Sequence, residues 1–173
     1  MSMTGVFKRV RSNYSGNEAR PLGGYLRAMG GFTGLVGVAA VVGKARGARL
    51  PEGFSWSDTV LVSVAVHKAS RLLTKSSVTA ALRAPFTRFE GSTGEGEVAE
   101  SVPPTGDHRH ALGELLTCPF CSGVWLATAF TAGLVLAPRA TRLVATTLTT
   151  IAGSDYLHLA YDATKSAVVR NSA

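Results

Sequence analysis

Apolar residues in this chain are gathered into long runs instead of being spaced along amphipathic faces. The clearest run covers residues 119–137, which are 19 residues without a charge. At about 1.5 Å per residue, a helix of that length crosses a hydrocarbon core of roughly 30 Å. The run therefore predicts a transmembrane helix that begins directly after Cys118.

Three further runs predict helices of the same kind, at residues 22–42, 57–73 and 141–161. The first of these is rich in glycine, which permits close helix packing in lipid. The run at 57–73 is the least apolar because its last two turns are polar. Together the runs predict an all-α fold, an integral membrane bundle of about four transmembrane helices.

The segments outside the runs show no core-forming pattern. Residues 1–21 are basic, show no periodic apolar face and predict a flexible cytoplasmic tail. Within a membrane helix domain at 22–165, residues 74–110 are rich in glycine, proline and glutamate and predict a mobile loop. Residues 166–173 are a short tail. Because no convincing cleavage site follows the first run, we expect no signal peptide.

The chain of 173 residues carries a formal charge of +7, although only 17% of its residues are charged and 46% are hydrophobic. The basic residues flank the apolar runs, which suits anionic lipid head groups better than nucleic acid. With four spans, 13 of the 18 Lys and Arg residues fall on the side of both termini. The positive-inside rule then predicts that the N-terminus and the long loop are cytoplasmic. A soluble helical protein with bare core helices is the alternative.

Seven ionisable residues fall at the predicted cytoplasmic ends of the helices, where we expect one buried polar cluster. They are His67, Lys68, Arg71, Glu114, Asp155, His158 and Asp162. Ionisable groups at such a depth face each other or water, not lipid. We expect Lys68 or Arg71 to contact Asp155, and this ion pair should contribute a net stabilisation of roughly 1 kcal/mol. The cluster is either a proton, ion or ligand site, or a salt bridge that fixes helix pairing.

Both cysteines belong to one Cys-Pro-Phe-Cys motif, at Cys118 and Cys121. Two thiols one helical turn apart can form a disulfide or share a metal ion. Pro119 suits the first turn of a helix, whose positive dipole end would favour the Cys118 thiolate. The tetrapeptide resembles the active site of glutaredoxin-like proteins, but no β-α-β pattern surrounds it. Structurally inert thiols are the favoured interpretation, with thiol redox chemistry and metal binding as the alternatives.

The metal alternative adds His108 and His110, which together with the two cysteines give the two nitrogens and two sulfurs of a closed zinc site. The eight residues from His110 to Cys118 would extend about 12 Å as a helix, so a turn must bring the histidines back. We therefore predict no cofactor, with zinc as the alternative.

Four strings carry a family resemblance: HKASRLLTKSSVTAALRAPFTRFEG, GEGEVAE, HALGELLTCPFCSGVWLA and LVLAPRATRLVA. Over residues 67–162 the chain resembles an uncharacterised family of small bacterial membrane proteins. This family is the thirteen-sixtieth domain of unknown function and includes a Bacillus sporulation-associated membrane protein. Its motifs fall on Arg71, Arg83, Pro85, Phe86, Gly113, Glu114, Leu115, Cys118, Cys121, Gly123 and Trp125. The resemblance implies membrane residence and bacterial origin and supplies no catalytic residues. Together with the four predicted helices, it leads us to expect a multi-pass protein of the bacterial plasma membrane.

Three classes of function remain open. A non-catalytic accessory or assembly factor is favoured, with the lipid bilayer, a membrane-protein partner or a second copy as its contacts and no nucleic acid. A thiol-disulfide oxidoreductase using Cys118 and Cys121 is the first alternative, and a small transporter or metal- and ion-handling protein is the second. Hydrolases and nucleotide enzymes are disfavoured because no serine-histidine-acid order, phosphate-binding glycine loop or catalytic carboxylate pair is found.

Overall fold

A computed structural model describes residues 3–15, 20–104 and 106–171 and is mostly helical. In chain order, the elements in these ranges are α1 (Met3–Ser15), α2 (Leu22–Ala45), α3 (Trp56–Thr74), α4 (Ala80–Arg83), β1 (Arg88–Gly94), β2 (Glu97–Ser101), α5 (Asp107–Thr117), α6 (Pro119–Leu136) and α7 (Pro138–Asn171). They form two compact units. The first unit comprises Met1–Val38 with Leu73–Ser122, and the second comprises Ala39–Leu72 with Gly123–Ala173.

All four helices predicted from apolar runs are present, as α2, α3, α6 and α7. Among the helices of the described residues, only α2 and α6 are both long and apolar enough to cross a membrane by length and composition. Their apolar stretches are 0% and 11% buried within the chain, whereas a core helix of a soluble protein is mostly buried. Two such helices support membrane association, whereas α3 and α7 do not meet the same test of length and composition.

In the second unit, α3 and α7 run parallel. Three polar contacts join them, and the partner numbers rise together along both helices. The pairs are Asp58 with Arg142 at 2.8 Å, Leu61 with Thr149 at 3.1 Å and Lys68 with Asp155 at 2.5 Å. Small buried residues, namely Ala65 on α3 with Ala145 and Ala152 on α7, leave room for close helix packing.

A tight connection joins α6 to α7 in the same unit. Only Ala137 separates the two helices, and Pro138 suits the first position of the second one. A Cβ atom on Gly133 would lie 2.6 Å from Thr141 Oγ1, so the helix ends are in close contact. Because the chain reverses here, α6 runs opposite to α7 and therefore opposite to α3.

The segment predicted as a mobile loop is instead folded, so that prediction is wrong for most of residues 74–110. Strands β1 and β2 form an antiparallel hairpin in the first unit, and a bridge from Ser76 to Glu97 ties its second strand to the end of α3. The turn contains Gly96 at φ +71°, a left-handed conformation that favours glycine. The hairpin has little apolar alternation, since Val98 is its one buried hydrophobic residue in the described ranges.

Arg83 explains why so polar a segment folds. Its side chain is 0% exposed, and its Nε and Nη2 atoms donate to the Glu100 carboxylate at 2.6 and 3.2 Å. The remaining N–H groups donate to Leu73 O, Thr79 Oγ1 and Ser76 O at 2.8 to 2.9 Å. All five guanidinium donors are thus used, and one residue connects the end of α3, the α4 segment and β2.

The described part of the predicted N-terminal tail is also structured. Met3–Ser15 forms helix α1, where the sequence was expected to be flexible and without an apolar face. The spacing of Val6, Val10 and Tyr14, four residues apart, places them along one side of the helix. This apolar periodicity was present in the sequence, but the segment was judged by its basic composition.

Candidate functional site

The first unit gathers polar side chains around Glu114, near the end of α5. The Tyr25 hydroxyl donates to one carboxylate oxygen, while Arg20 Nη1 and His110 Nε2 lie 3.4 and 3.3 Å from the other. The His110 ring also places Nδ1 3.1 Å from Pro103 O. We call Arg20, Tyr25, His110 and Glu114 the Glu114 cluster.

Close packing of α2 on α5 brings this cluster together. A Cβ atom on Gly24 would lie 2.1 Å from Asp107 O and 2.5 Å from Ala111 Cβ, distances that real side chains do not reach. Glycine is therefore required at this position. Its absence of a side chain lets the start of α2, with Tyr25, approach the helix that carries Glu114.

The two thiols lie at the junction of α5 and α6, directly after the Glu114 cluster. Cys118 ends α5 by donating its N–H to Glu114 O at 3.1 Å, and its sulfur accepts the N–H of Cys121 at 3.2 Å. Both cysteines are free, and Cys121 is exposed. The two cysteines are thus joined by a hydrogen bond across the first turn of α6.

The candidate ligands of the alternative zinc site are not brought together. Among the residues that the structure describes, no group of three or more His, Cys, Asp and Glu side chains is placed to hold a metal ion. His108 is exposed on α5, and the ring of His110 is directed at Pro103 and Glu114. Helix α5 continues to Thr117 without the turn that would bring the histidines back to Cys118. His108 and His110 therefore stay at the other end of the helix from the cysteines.

Of the seven residues expected in one polar cluster, Lys68 and Asp155 form an ion pair in the second unit. Their side chains are 16% and 48% exposed. Glu114 instead has its partners in the first unit. The other four members are exposed: His67, Arg71, His158 and Asp162.

A second ion pair between α3 and α7 was not anticipated from the sequence. Arg142 Nε and Nη2 donate to Asp58 Oδ1 and Oδ2, both at 2.8 Å, in a bidentate contact. Asp58 is further fixed by its backbone N–H, which donates to Ser55 Oγ at 3.0 Å. The sequence offered one signal: Asp58 and Arg142 each lie in the first turn of a predicted helix, and the two residues carry opposite charges.

These features define a small helical protein with two helices able to cross a membrane, a folded hairpin and paired charges between helices. The family described as "Protein of unknown function (DUF1360)" matches residues 61–161, and the chain belongs to this family. These residues include most of α3, the hairpin, α5, α6 and most of α7.

One relative is Sporulation protein YjcA of Bacillus subtilis (strain 168), which is 37% identical over 70 residues. The match covers 39% of this chain and 59% of that protein, so the chain matches about three fifths of its relative's length. No solved structure matches the chain.

Proposed function

We propose that this chain is an integral protein of the bacterial plasma membrane that crosses the bilayer four times, through α2, α3, α6 and α7. We further propose that it acts as a non-catalytic accessory or assembly factor. One contact carries the topology. A Cβ atom on Gly43, near the end of α2, would lie 3.4 Å from Leu136 Cδ2, at the end of α6. The two apolar helices therefore finish side by side.

Two spanning helices that finish on the same side of a bilayer require the chain between them to cross back. In the described ranges between α2 and α6, helix α3 is the longest, with 19 residues and a length of about 28 Å. Helix α5 has only 11 residues. The return is therefore made by α3, and α7, which runs parallel to α3, crosses in the same direction.

Charge pairing makes α3 and α7 compatible with lipid. The pairs of Asp58 with Arg142 and of Lys68 with Asp155 neutralise two charges on each helix. Asp58 and Lys68 on α3 are ten residues apart, which is about 15 Å along the helix, so the two pairs lie at different depths. The intervening side chains of α3 are uncharged apart from the titratable His67.

The same pairing supports an accessory role over a catalytic one. The strongest polar contacts of the described residues connect helices or close the hairpin, and no buried side-chain polar atom among them lacks a partner. The hairpin presents an exposed strand β1, including Phe89 at 70% exposure, to a protein partner. The relative's name, Sporulation protein YjcA, supports a role in sporulation.

Cysteine accessibility tests the topology. In a Cys118→Ser/Cys121→Ser background, Glu95→Cys in the hairpin turn and Glu52→Cys in the α2–α3 connection each supply one thiol. A membrane-impermeant maleimide is applied to intact and permeabilised cells. With four spans, Glu52→Cys reacts on intact cells and Glu95→Cys reacts only after permeabilisation.

Glu52→Cys is the matched control because it is outside whether α3 spans or not. If α2 and α6 alone crossed the bilayer, both engineered thiols would react on intact cells, and the four-span proposal would be wrong.

Complementation of a deletion strain distinguishes an accessory factor from a transporter or ion-handling protein. An accessory factor should retain its function in the Cys118→Ser/Cys121→Ser variant and in Asp155→Asn at normal protein level. Loss of function in Asp155→Asn without loss of folded protein would instead favour the transporter or ion-handling alternative.

A thiol-disulfide oxidoreductase is the second candidate, because the Cys121 N–H donates to Cys118 Sγ at the start of α6. In this alternative Cys118 is the nucleophile and Cys121 the resolving thiol. Acid quenching followed by alkylation should then reveal a fraction of disulfide that changes with the redox state of the cell. Fully reduced thiols under all conditions, with normal complementation by the double serine variant, would exclude it.

A further inference from the structure

Helix α1 presents an apolar side that nothing in the described part of the chain covers. Val6, Val10 and Tyr14 are 46%, 54% and 64% exposed. At 100° per residue these three positions fall within an arc of about 80°. In sequence, Met3 and Phe7 continue the same spacing.

The charge of α1 indicates what kind of surface this side contacts. Lys8, Arg9 and Arg11 are basic, and no acidic residue occurs between Met3 and Ser15. A helix with an apolar stripe and only positive charge is typical of segments that lie in the interface of an anionic bilayer. If α1 bound another protein instead, nothing would require acidic residues to be absent from the helix.

The chain also holds α1 close to such a surface. Ser15 and Leu22 are seven residues apart, which limits their separation to roughly 25 Å even for a fully extended chain. Leu22 begins α2, one of the two helices able to cross a membrane. The short connection raises the local concentration of α1 at the bilayer, so that weak intrinsic affinity is sufficient.

We propose that α1 lies in the cytoplasmic face of the bilayer, with Val6, Val10 and Tyr14 directed into the lipid and its basic residues on anionic phosphate groups. This inference rests on the proposed function only in requiring that α2 spans the membrane. It adds a contact to the inner leaflet that depends on lipid charge.

A matched pair of probes tests the orientation of α1. Val10→Cys lies on the apolar side, and Ser12→Cys lies about 200° away on the same helix. Each is placed in the full chain with Cys118→Ser/Cys121→Ser, labelled with an environment-sensitive fluorophore and reconstituted into nanodiscs. One set of discs contains phosphatidylcholine alone, and the other also contains phosphatidylglycerol as the anionic lipid.

We expect a blue-shifted emission from Val10→Cys and not from Ser12→Cys, only in the discs with phosphatidylglycerol. The shift should be reversed by high salt. In a Lys8→Gln/Arg9→Gln/Arg11→Gln variant, the ratio of docked to undocked α1 should fall roughly fivefold for each basic residue removed.

Leu35→Cys, near the middle of α2, separates failure of this inference from failure of the proposed topology. If Leu35→Cys reports hydrocarbon while Val10→Cys reports water in the anionic discs, the inference is wrong and the spanning helix stands. If Leu35→Cys reports water, the spanning helix itself is wrong. Shielding of Val10→Cys that depends on neither lipid charge nor the basic residues would mean that protein covers α1, which also overturns the inference.

Discussion

The two units use the same chemical pair, an arginine with a carboxylate, in opposite surroundings. Arg83 and Glu100 in the first unit are 0% and 6% exposed and only 17 residues apart in sequence. Arg142 and Asp58 in the second unit are 50% and 12% exposed and 84 residues apart. The first pair closes a local fold inside protein, whereas the second fixes the register of two distant helices. We therefore expect a substitution to cost more stability in the pair that is buried in protein than in the pair that is partly exposed.

The largest effect is expected from Arg83→Met. Removing the guanidinium leaves the Glu100 charge buried and unpaired, and two backbone carbonyls lose their donors, so the first unit should lose about 3–5 kcal/mol of stability. Thermal unfolding of the purified protein in detergent, followed by protease cleavage of the hairpin, measures the loss.

Arg88→Met is the control, because Arg88 is exposed on β1 and its loss should be almost neutral. The double variant Arg83→Met/Glu100→Met should recover part of the lost stability, since it removes the unpaired charge as well. Equal behaviour of Arg83→Met and Arg88→Met would contradict the enclosure argument.

Gly24→Ala comes next in size. The added methyl group would overlap the Asp107 carbonyl and Ala111, so α2 and α5 must separate at a cost of about 1–3 kcal/mol. Gly30→Ala makes the same change on the same helix where no atom lies within 4 Å, and it should not destabilise. The melting temperatures of the two variants give the comparison. A similar loss in both would contradict the packing argument, because helix propensity alone favours alanine over glycine at both positions.

Asp58→Asn tests the long-range pair. The amide cannot match both donors of Arg142, so the apparent melting temperature should fall, but by less than for Arg83→Met because water reaches Arg142. Arg142→Lys should show a similar loss, since lysine cannot form the bidentate contact. Glu52→Gln, on the exposed connection nearby, is the charge-matched control and should leave the melting temperature unchanged.

Lys68→Met should have the smallest effect, about 1 kcal/mol or less. Asp155 is half exposed and falls in the last two turns of the predicted span at 141–161, where head groups and water can solvate it. The yield of monodisperse protein after heating is the measurement. Asp162→Asn, one turn or more further along α7 and exposed, provides the reference. A loss for Lys68→Met as large as that for Asp58→Asn would show that the two pairs experience equal desolvation.

The sequence predicted the helices well because their apolar runs are long enough to be recognised without tertiary information. The starts of α2 and α6 coincide with the predicted residues, at Leu22 and Pro119. Four spans remain a proposal, since the apolar content of α3 and α7 falls short by itself. What the sequence could not reveal is that charges 84 residues apart compensate each other.

The hairpin was missed because its stability comes from one buried arginine and not from an alternating apolar pattern. Strand β1 is almost entirely exposed, and single-sequence periodicity has nothing to detect there. The Glu95-Gly96 turn was the available local signal. Among the predicted site residues, Glu114 and the thiols are adjacent because α5 and α6 follow each other directly, whereas the zinc ligands required a turn that α5 does not make.

The distance along the chain between Asp58 and Arg142 has a consequence for biosynthesis. At 5–20 residues per second, the ribosome needs roughly 4 to 17 s to make the 84 residues that separate them. During this interval α3 has been synthesised while its ionic partners have not. Under the proposed four-span topology, α3 must wait at the bilayer surface or be held by an insertion factor until α7 emerges, so that the two helices complete their integration together.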